Sequence, residues 1–205
     1  MHGVLLMLIV PLEVLVHELA HAAAALRMTR GPVRVHVGQY PGLVRLRFGR
    51  LHVQLHFLPA RGVNWSGICV HEPVLWPRQA AWIAALGPVA SLLCALGCTV
   101  VLRLWGPGFD PSTRIIVALG AMTAVLDAVY NGAPWLLPAV ARDRPDSDGA
   151  HVRWAMGRHR ILRDHERSIG RRLTRAEMLE LWRTGRWPTS ARRDVTSSVA
   201  PPAAG

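Results

Sequence analysis

Two histidines and a glutamate stand within five residues in the motif HELAH, at His17, Glu18 and His21. If this segment is helical, four residues advance the chain by about 400°, so both imidazoles lie on one face. Two imidazoles at that spacing can hold one zinc ion. Glu18 lies beside them and is placed to take a proton from a water that the metal activates. The motif therefore predicts zinc-dependent hydrolysis.

This motif lies inside an apolar block that runs from Gly3 to about Leu26. As a helix the block is about 36 Å long, which is enough to cross a bilayer. An ionisable side chain at the bilayer centre costs about 2.5–3.5 kcal/mol on insertion scales, so three of them need a compensating interaction. A shared metal ion supplies it. A cleaved signal peptide is the weaker alternative, because the start MHG has no basic residue and the core is rich in ionisable groups.

The composition also favours a membrane. The chain has 205 residues, of which 51% are hydrophobic, with 24 arginines, no lysine, 13 acidic residues and a net charge of +11. Such a charge is typical of proteins that bind nucleic acid or an anionic membrane surface. The arginines lie mostly between and after three apolar blocks, as in membrane proteins. No zinc-finger or RNA-binding signature is present. The sequence therefore predicts the lipid bilayer, and not nucleic acid, as a partner.

The three blocks define the predicted fold class, a mostly α membrane protein. Transmembrane helices are expected over about residues 3–27, 79–105 and 114–141. Pro88 and Pro134 are expected to interrupt the second and third helices, because each removes a backbone donor. Such breaks survive at membrane depth only where protein or water satisfies the freed groups. The third block is therefore expected to pack against a polar site.

The arginines predict the orientation of the crossings. Residues 27–78 hold eight arginines and one acid, residues 103–114 hold two arginines, and the tail from Arg142 holds fourteen. By the positive-inside rule, the first loop and the tail are cytoplasmic and the N-terminus lies outside. The expected location is the cell membrane, with a multi-pass topology.

A small membrane-associated β-sheet is predicted between the first and second helices, over about residues 33–57. The segments VRVHV, LVRLRF and LHVQLHF alternate apolar and polar residues, with turn residues at 39–42 and 49–50. This period predicts two or three short strands. His36, His52 and His56 fall on their polar sides, where metal binding is not expected.

The rest of the chain is polar. Residues 156–194 form a basic tail with a short helix expected at 175–182, and residues 195–205 are expected to be disordered.

Three motifs in order resemble one family. VHELAH lies on the first helix, LGPVAS on the second, and YNGAPWLLP is followed by SDGAH after the third. This order resembles the site-2 proteases, zinc metalloproteases of the membrane interior, over about residues 1–155. The resemblance implies one Zn²⁺ held by His17, His21 and Asp148. It also implies Glu18 as the general base and Asn131 as a polar group near the substrate carbonyl.

Two departures from the family pattern stand out. Ser91 occupies a position where the family often has asparagine, and the interval from Asn131 to Asp148 is longer than the compact family form. Asp146 is therefore a rival third ligand. Asp148 is preferred because Gly149 permits a close turn beside it.

The expected function is intramembrane proteolysis of a single-pass membrane protein. The alternative is a non-catalytic membrane-embedded interaction protein with a structural zinc site, although such a site needs no base at Glu18. A transporter component is disfavoured, because the paired inverted segments of transporters are missing. Two more intramembrane acids, Glu13 and Asp127, either orient a ligand imidazole or line a wet cavity, and the sequence leaves both interpretations open. It leaves the oligomeric state undecided too.

Overall fold

The computed structural model describes residues 2–38, 44–56, 66–136 and 147–184, together with Trp187. The helices are α1 (His2–Met28), α2 (Pro77–Trp105), α3 (Pro111–Leu136), α4 (Asp148–Ser168) and α5 (Arg175–Thr184). The strands are β1 (Val33–Val37), β2 (Val44–Phe48), β3 (Leu51–Leu55) and β4 (Gly67–Val70). The described chain is thus mostly helical with one small sheet.

Three helices are long and apolar enough to cross a membrane, over Leu8–Met28, Pro77–Gly108 and Pro111–Trp135. The prediction of three such helices is confirmed. The third begins slightly earlier than expected because Asp110 caps it: Oδ1 accepts hydrogen bonds from the backbone N–H groups of Ser112 and Thr113. Residues 137–141, the end of the third predicted helix, lie outside the described residues.

The two prolines do not interrupt their helices. Helix α2 continues through Pro88 to Trp105, and α3 continues through Pro134 to Leu136. The predicted breaks are therefore wrong. A proline inside a helix removes one hydrogen bond and bends the chain, and both of these prolines are buried against neighbouring elements. Packing of the helices holds each of them helical despite the lost bond.

The outer faces of α2 and α3 are apolar and exposed. Only 17% of the apolar window in α2 and 11% of that in α3 is buried, against 50% for α1. Leu93 and Leu104 are 63% and 64% exposed, and Leu126 is 59% exposed. Continuous apolar surface of this kind marks contact with a membrane or a partner. Helix α1 is the inner helix of the three.

The sheet packs on α1. Its strand order is β2-β3-β1-β4, with β1 parallel to β3 and the other pairs antiparallel. Strands β1 to β3 and the turn at Gly49 (φ 57°) are confirmed predictions. Strand β4 was not predicted, because the short segment GICV shows too little alternation. Five apolar side chains of β1 and β3 are buried in one cluster with alanines of α1, namely Val33, Val35, Val37, Val53 and Leu55.

Helix α4 was also not predicted, since its sequence looked like a polar tail. Its buried residues Val152 and Ala155 pack against Ala81 and Ala84 near the start of α2. Farther along α4, Leu162 packs in a second cluster with Leu173, which precedes α5, and with Met178 and Leu181 of α5. The short helix predicted at 175–182 is confirmed as α5. Residues 188–205, including the segment expected to be disordered, lie outside the described residues.

Candidate metal centre

His17 and His21 of α1 meet the carboxylate of Asp148, which begins α4. Nε2 of His17 lies 2.8 Å and Nε2 of His21 lies 3.2 Å from Oδ2 of Asp148. The ligand atoms of the three residues all lie within 4.8 Å of one another, and the two imidazoles are edge to face with centroids 4.8 Å apart. A segment 127 or more residues away in sequence therefore supplies the third candidate ligand.

The other nitrogen of each imidazole is held by a hydrogen bond. Nδ1 of His21 lies 2.6 Å from the carbonyl oxygen of Ile83, and Nδ1 of His17 lies 2.6 Å from Oδ2 of Asp127. A carbonyl or carboxylate can only accept, so each Nδ1 carries the proton. Both Nε2 atoms are thereby directed at Asp148. Without a metal they can donate protons to its carboxylate, and a bound ion would take the place of those protons.

Gly87 of α2 makes room for the two imidazoles. A Cβ at this position would overlap Nε2 of both His17 and His21. The backbone of α2 therefore lies directly against the candidate ligand atoms. Gly87 belongs to the LGPVAS motif, which gives that motif a physical reason: only glycine lets α2 approach this closely.

Asp148 is fixed by the start of α4. The Ser147 side chain caps the helix by accepting a hydrogen bond from the backbone N–H of Ala150 at 3.3 Å. A Cβ at Gly149 would lie 2.6 Å from the backbone nitrogen of Trp135 and 2.8 Å from the carbonyl oxygen of Asn131. The expected role of Gly149 in a close turn is wrong, because this glycine is helical and allows α4 to pack against the end of α3.

The environment keeps the Asp148 carboxylate ionised. Burial favours the neutral acid, but hydrogen bonds from His17 and His21 outweigh burial and lower the pKa of Asp148 to about 2. The side chain is 20% exposed and lies on the wall of a cavity. An ionised carboxylate with two imidazoles at these distances is a donor set that suits zinc.

Glu18 lies on the same cavity, which has a volume of about 600 Å³. Glu18 as a residue is 8% exposed, and its carboxylate is not one of the three converging ligands. The cavity is lined from α1, β4, α2 and α4, by residues that include Glu18, His21, Cys69, His71, Asp148 and His151. Burial raises the pKa of the Cys69 thiol to about 12, so this cysteine stays a neutral thiol. A base beside the candidate ligands and an open volume in front of them is the arrangement that hydrolysis requires.

Ser91 lies at the centre of a polar cluster behind His17. Its hydroxyl oxygen is 2.7 Å from Oε1 of Glu13, 2.7 Å from Oδ2 of Asp127 and 3.0 Å from Nδ1 of His17. Ser91 and Glu13 are buried. This arrangement separates two interpretations that the sequence left open: both acids belong to the polar cluster behind a ligand imidazole, and Asp127 makes the direct contact.

Asn131 lies in this cluster as well. Its Nδ2 donates to Oδ1 of Asp127 at 2.8 Å. Asn131 is not among the described residues that line the cavity. Its contact with a substrate carbonyl stays a prediction. Asp146, the rival ligand, lies outside the described residues.

Sequence reasoning missed several residues that shape this centre. Gly87 was noted only as part of a motif, and Ser91 only as a departure from the family pattern. The Ile83 carbonyl carries no sequence signal at all. Asp127 did carry a sequence signal, because it is a single acid in an apolar helix, one helical turn before Asn131. An intramembrane acid at that spacing should have been assigned to the polar cluster.

Comparison with known proteins identifies no relative: no protein-family model, no curated protein and no solved structure matches the chain.

Proposed function

We propose that this chain is a zinc-dependent endopeptidase of the membrane interior, similar to the site-2 proteases. The observation that carries the proposal is the convergence of His17, His21 and Asp148, with His21, Asp148 and Glu18 on the wall of one cavity. A structural zinc site needs ligands but neither a base nor an open volume. Here Glu18 is available as a base, and the cavity is the open volume.

Each polar group then has a distinct task. A bound zinc ion would supply Lewis acidity that activates water near neutral pH. His17, His21 and Asp148 would hold the ion through two nitrogens and one oxygen. Glu18 would accept the proton of the attacking water and deliver it to the leaving amine. From its place on the cavity wall, Glu18 would lie beside a peptide bond that entered the cavity.

The edge of β4 offers a place for an extended substrate. Strand β4 is the outer strand on the cavity side, and Gly67, Ile68 and Cys69 line the cavity. The N–H of Gly38 donates a hydrogen bond to the carbonyl of Ser66. In an antiparallel pair of strands every second pair of opposite residues is hydrogen-bonded, so the next pair along, which contains Gly67, is not. The backbone N–H and C=O groups of Gly67 and Cys69 therefore point away from β1. An unwound substrate segment would add to this edge by backbone hydrogen bonds.

The proposed substrate is a single-pass membrane protein, and the proposed location is the cell membrane. The exposed apolar faces of α2 and α3 support insertion. The sheet and α4 both pack near the start of α2, which supports a topology with the basic loop and the basic tail on one side. By the positive-inside rule this side is cytoplasmic and the N-terminus is outside.

The decisive experiment compares the wild type with Glu18→Gln in detergent, with zinc content and cleavage of transmembrane peptides as readouts. We expect zinc in both proteins and cleavage by the wild type alone, because glutamine cannot accept the proton. Glu180→Gln, the same change at an exposed position of α5, is the control and should cleave normally. Equal cleavage by wild type and Glu18→Gln would overturn the proposal.

The second candidate function is a non-catalytic membrane-embedded interaction protein with a structural zinc site. The exposed arginines of α4 favour it, because they offer a basic surface to a partner. Zinc in both proteins without cleavage of any peptide in the panel would favour this candidate.

A separate pair of variants tests the β4 edge. Cys69→Pro removes an outward N–H without removing a bond to β1, whereas Cys69→Ala removes only the thiol. We expect the proline variant to keep its zinc and to raise the KM for transmembrane substrates, and the alanine variant to behave as the wild type. An unchanged KM in Cys69→Pro would exclude substrate addition at this edge.

A further inference from the structure

The polar cluster behind His17 joins all three apolar helices, and the reaction proposed above gives it no task. It contains Glu13 on α1, Ser91 on α2, and Asp127 and Asn131 on α3. None of these four is among the residues that line the cavity in the described chain. Polar groups at this depth are costly unless they have a function.

Asp127 is the member that touches a candidate ligand. Its Oδ2 lies 2.6 Å from Nδ1 of His17, and its Oδ1 accepts a hydrogen bond from Nδ2 of Asn131 at 2.8 Å. Both carboxylate oxygens are thus engaged, so the plane of the carboxylate is fixed from one side by His17 and from the other by Asn131. The carboxylate cannot turn away from the imidazole without losing the bond to Asn131.

We propose that Asp127 is the positioning residue of this metal centre. By accepting the Nδ1 proton of His17, it leaves Nε2 as the nitrogen that would bind the metal, and it holds the imidazole plane toward His21 and Asp148. The inference rests on the proposed function only for the metal itself, since it concerns how firmly the ion is held and not what the centre does. His21 has a different support, the Ile83 carbonyl, so Asp127 acts on one ligand only.

Counting protons assigns a different task to Glu13. The Ser91 hydroxyl has one proton but lies 2.7 Å from a carboxyl oxygen of both Glu13 and Asp127. Asp127 already accepts from His17 and Asn131, so it is the carboxylate. Glu13 is then the carboxylic acid that donates to Ser91, and Ser91 donates to Asp127. Glu13 serves as a hydrogen-bond donor in this chain of bonds, and its charge is not required.

This division of tasks makes two isosteric variants behave differently. Asp127→Asn places a neutral amide against Nδ1–H and weakens the bond that fixes His17. Glu13→Gln replaces one donor by another, because the glutamine amide can donate to the Ser91 hydroxyl. A merely structural role for the cluster predicts the opposite order, since Glu13 is the more buried of the two acids.

The test uses full-length protein in detergent and measures zinc affinity by competition with a chelator, together with the d–d absorption spectrum of the Co²⁺-substituted protein. We expect Asp127→Asn to bind zinc about 10- to 100-fold more weakly than the wild type, the usual effect of losing such a partner, and to show shifted Co²⁺ bands. Glu13→Gln should stay close to the wild type in both readouts. Asp164→Asn, the same change at an exposed residue of α4, is the matched control.

Asn131→Ala keeps the test decisive if Asp127→Asn does not fold. It leaves the carboxylate in place but removes one of its three hydrogen-bond partners, the others being His17 and Ser91, so an intermediate loss of zinc affinity is expected. Wild-type affinity and an unchanged Co²⁺ spectrum in Asp127→Asn would overturn the inference, as would an equal loss in Glu13→Gln. Failure of the proposed function can be told apart from failure of this inference. A wild type that binds zinc but cleaves no peptide contradicts the proposed function, and the zinc affinities of the variants can still be compared.

Discussion

Gly67 of β4 lies directly against Glu18 of α1. A Cβ at Gly67 would lie 2.6 Å from Oε1 of Glu18 and 2.7 Å from Cγ1 of Val14. The sheet can therefore approach α1 this closely only where β4 has no side chain. The position of the proposed base depends on the backbone of a strand that is not adjacent to it in sequence.

Gly67→Ala is expected to slow cleavage without removing zinc. The atoms nearest to the added methyl group belong to Glu18 and Val14 and not to the three candidate ligands, so Glu18 is displaced. A displacement of about 1 Å costs on the order of 100-fold in rate. Zinc content and kcat measured on the same preparation check this. Gly97→Ala is the control, since a Cβ at Gly97 meets nothing within 4 Å. A Gly67→Ala protein with wild-type kcat would show that Glu18 is positioned by other contacts.

Gly87→Ala is expected to remove the metal. The new Cβ overlaps Nε2 of both imidazoles, so His17 and His21 must move away from Asp148 or α2 must move away from α1. We expect less than about a tenth of the wild-type zinc after purification, since the metal site requires all its ligands in place. Elemental analysis checks this, again against Gly97→Ala. Full zinc occupancy would mean that the ion is held elsewhere.

The stability of the metal-free protein should depend on pH through Asp148. Its pKa of about 2 lies below the ordinary value of 3.8, so the folded state favours the ionised form. This contribution is present above about pH 4 and is lost as the pH falls toward 2, and it amounts to about 2 kcal/mol. Asp148→Asn should therefore be less stable than the wild type at pH 7, and the difference should vanish near pH 2.

Thermal unfolding in detergent, followed from pH 2 to 7, measures this difference. Asp164→Asn is the control because the Asp164 side chain is 61% exposed. Excess zinc should raise the Tm of the wild type at pH 7 but not that of Asp148→Asn, because only a protein that binds the ion is stabilised by it. Equal zinc stabilisation of both proteins would contradict the assignment of Asp148 as a ligand.

The parts of this fold that could be predicted from sequence are those with a local signal. The HELAH motif needs only helical geometry to place His17 and His21 on one face, and the three apolar blocks need only their length. Strands β1 to β3 follow from alternation, which is also local. Asp148 was found through the order of the motifs and not through any local property.

The missed parts depend on contacts between distant segments. Strand β4 is defined by its pairing with β1, and α4 by the packing of Val152 and Ala155 on α2. The sequence of α4 looked like a tail because charged residues and histidines outnumber its apolar ones. The predicted breaks at Pro88 and Pro134 failed for a related reason, because a local rule was overridden by packing.

Insertion of α2 into a bilayer predicts a large effect of charge on its outer face. Leu96 of α2 and Leu46 of β2 are both exposed, by 59% and 42%, but only Leu96 lies in a candidate span. Leu96→Arg should cost about 3 kcal/mol of insertion free energy and release protein from membranes on alkaline extraction. Leu46→Arg, the same change on the sheet, should leave the protein in the membrane fraction. If both variants stay in that fraction equally, the outer face of α2 at Leu96 does not contact lipid, and the proposed insertion of this helix is wrong at that position.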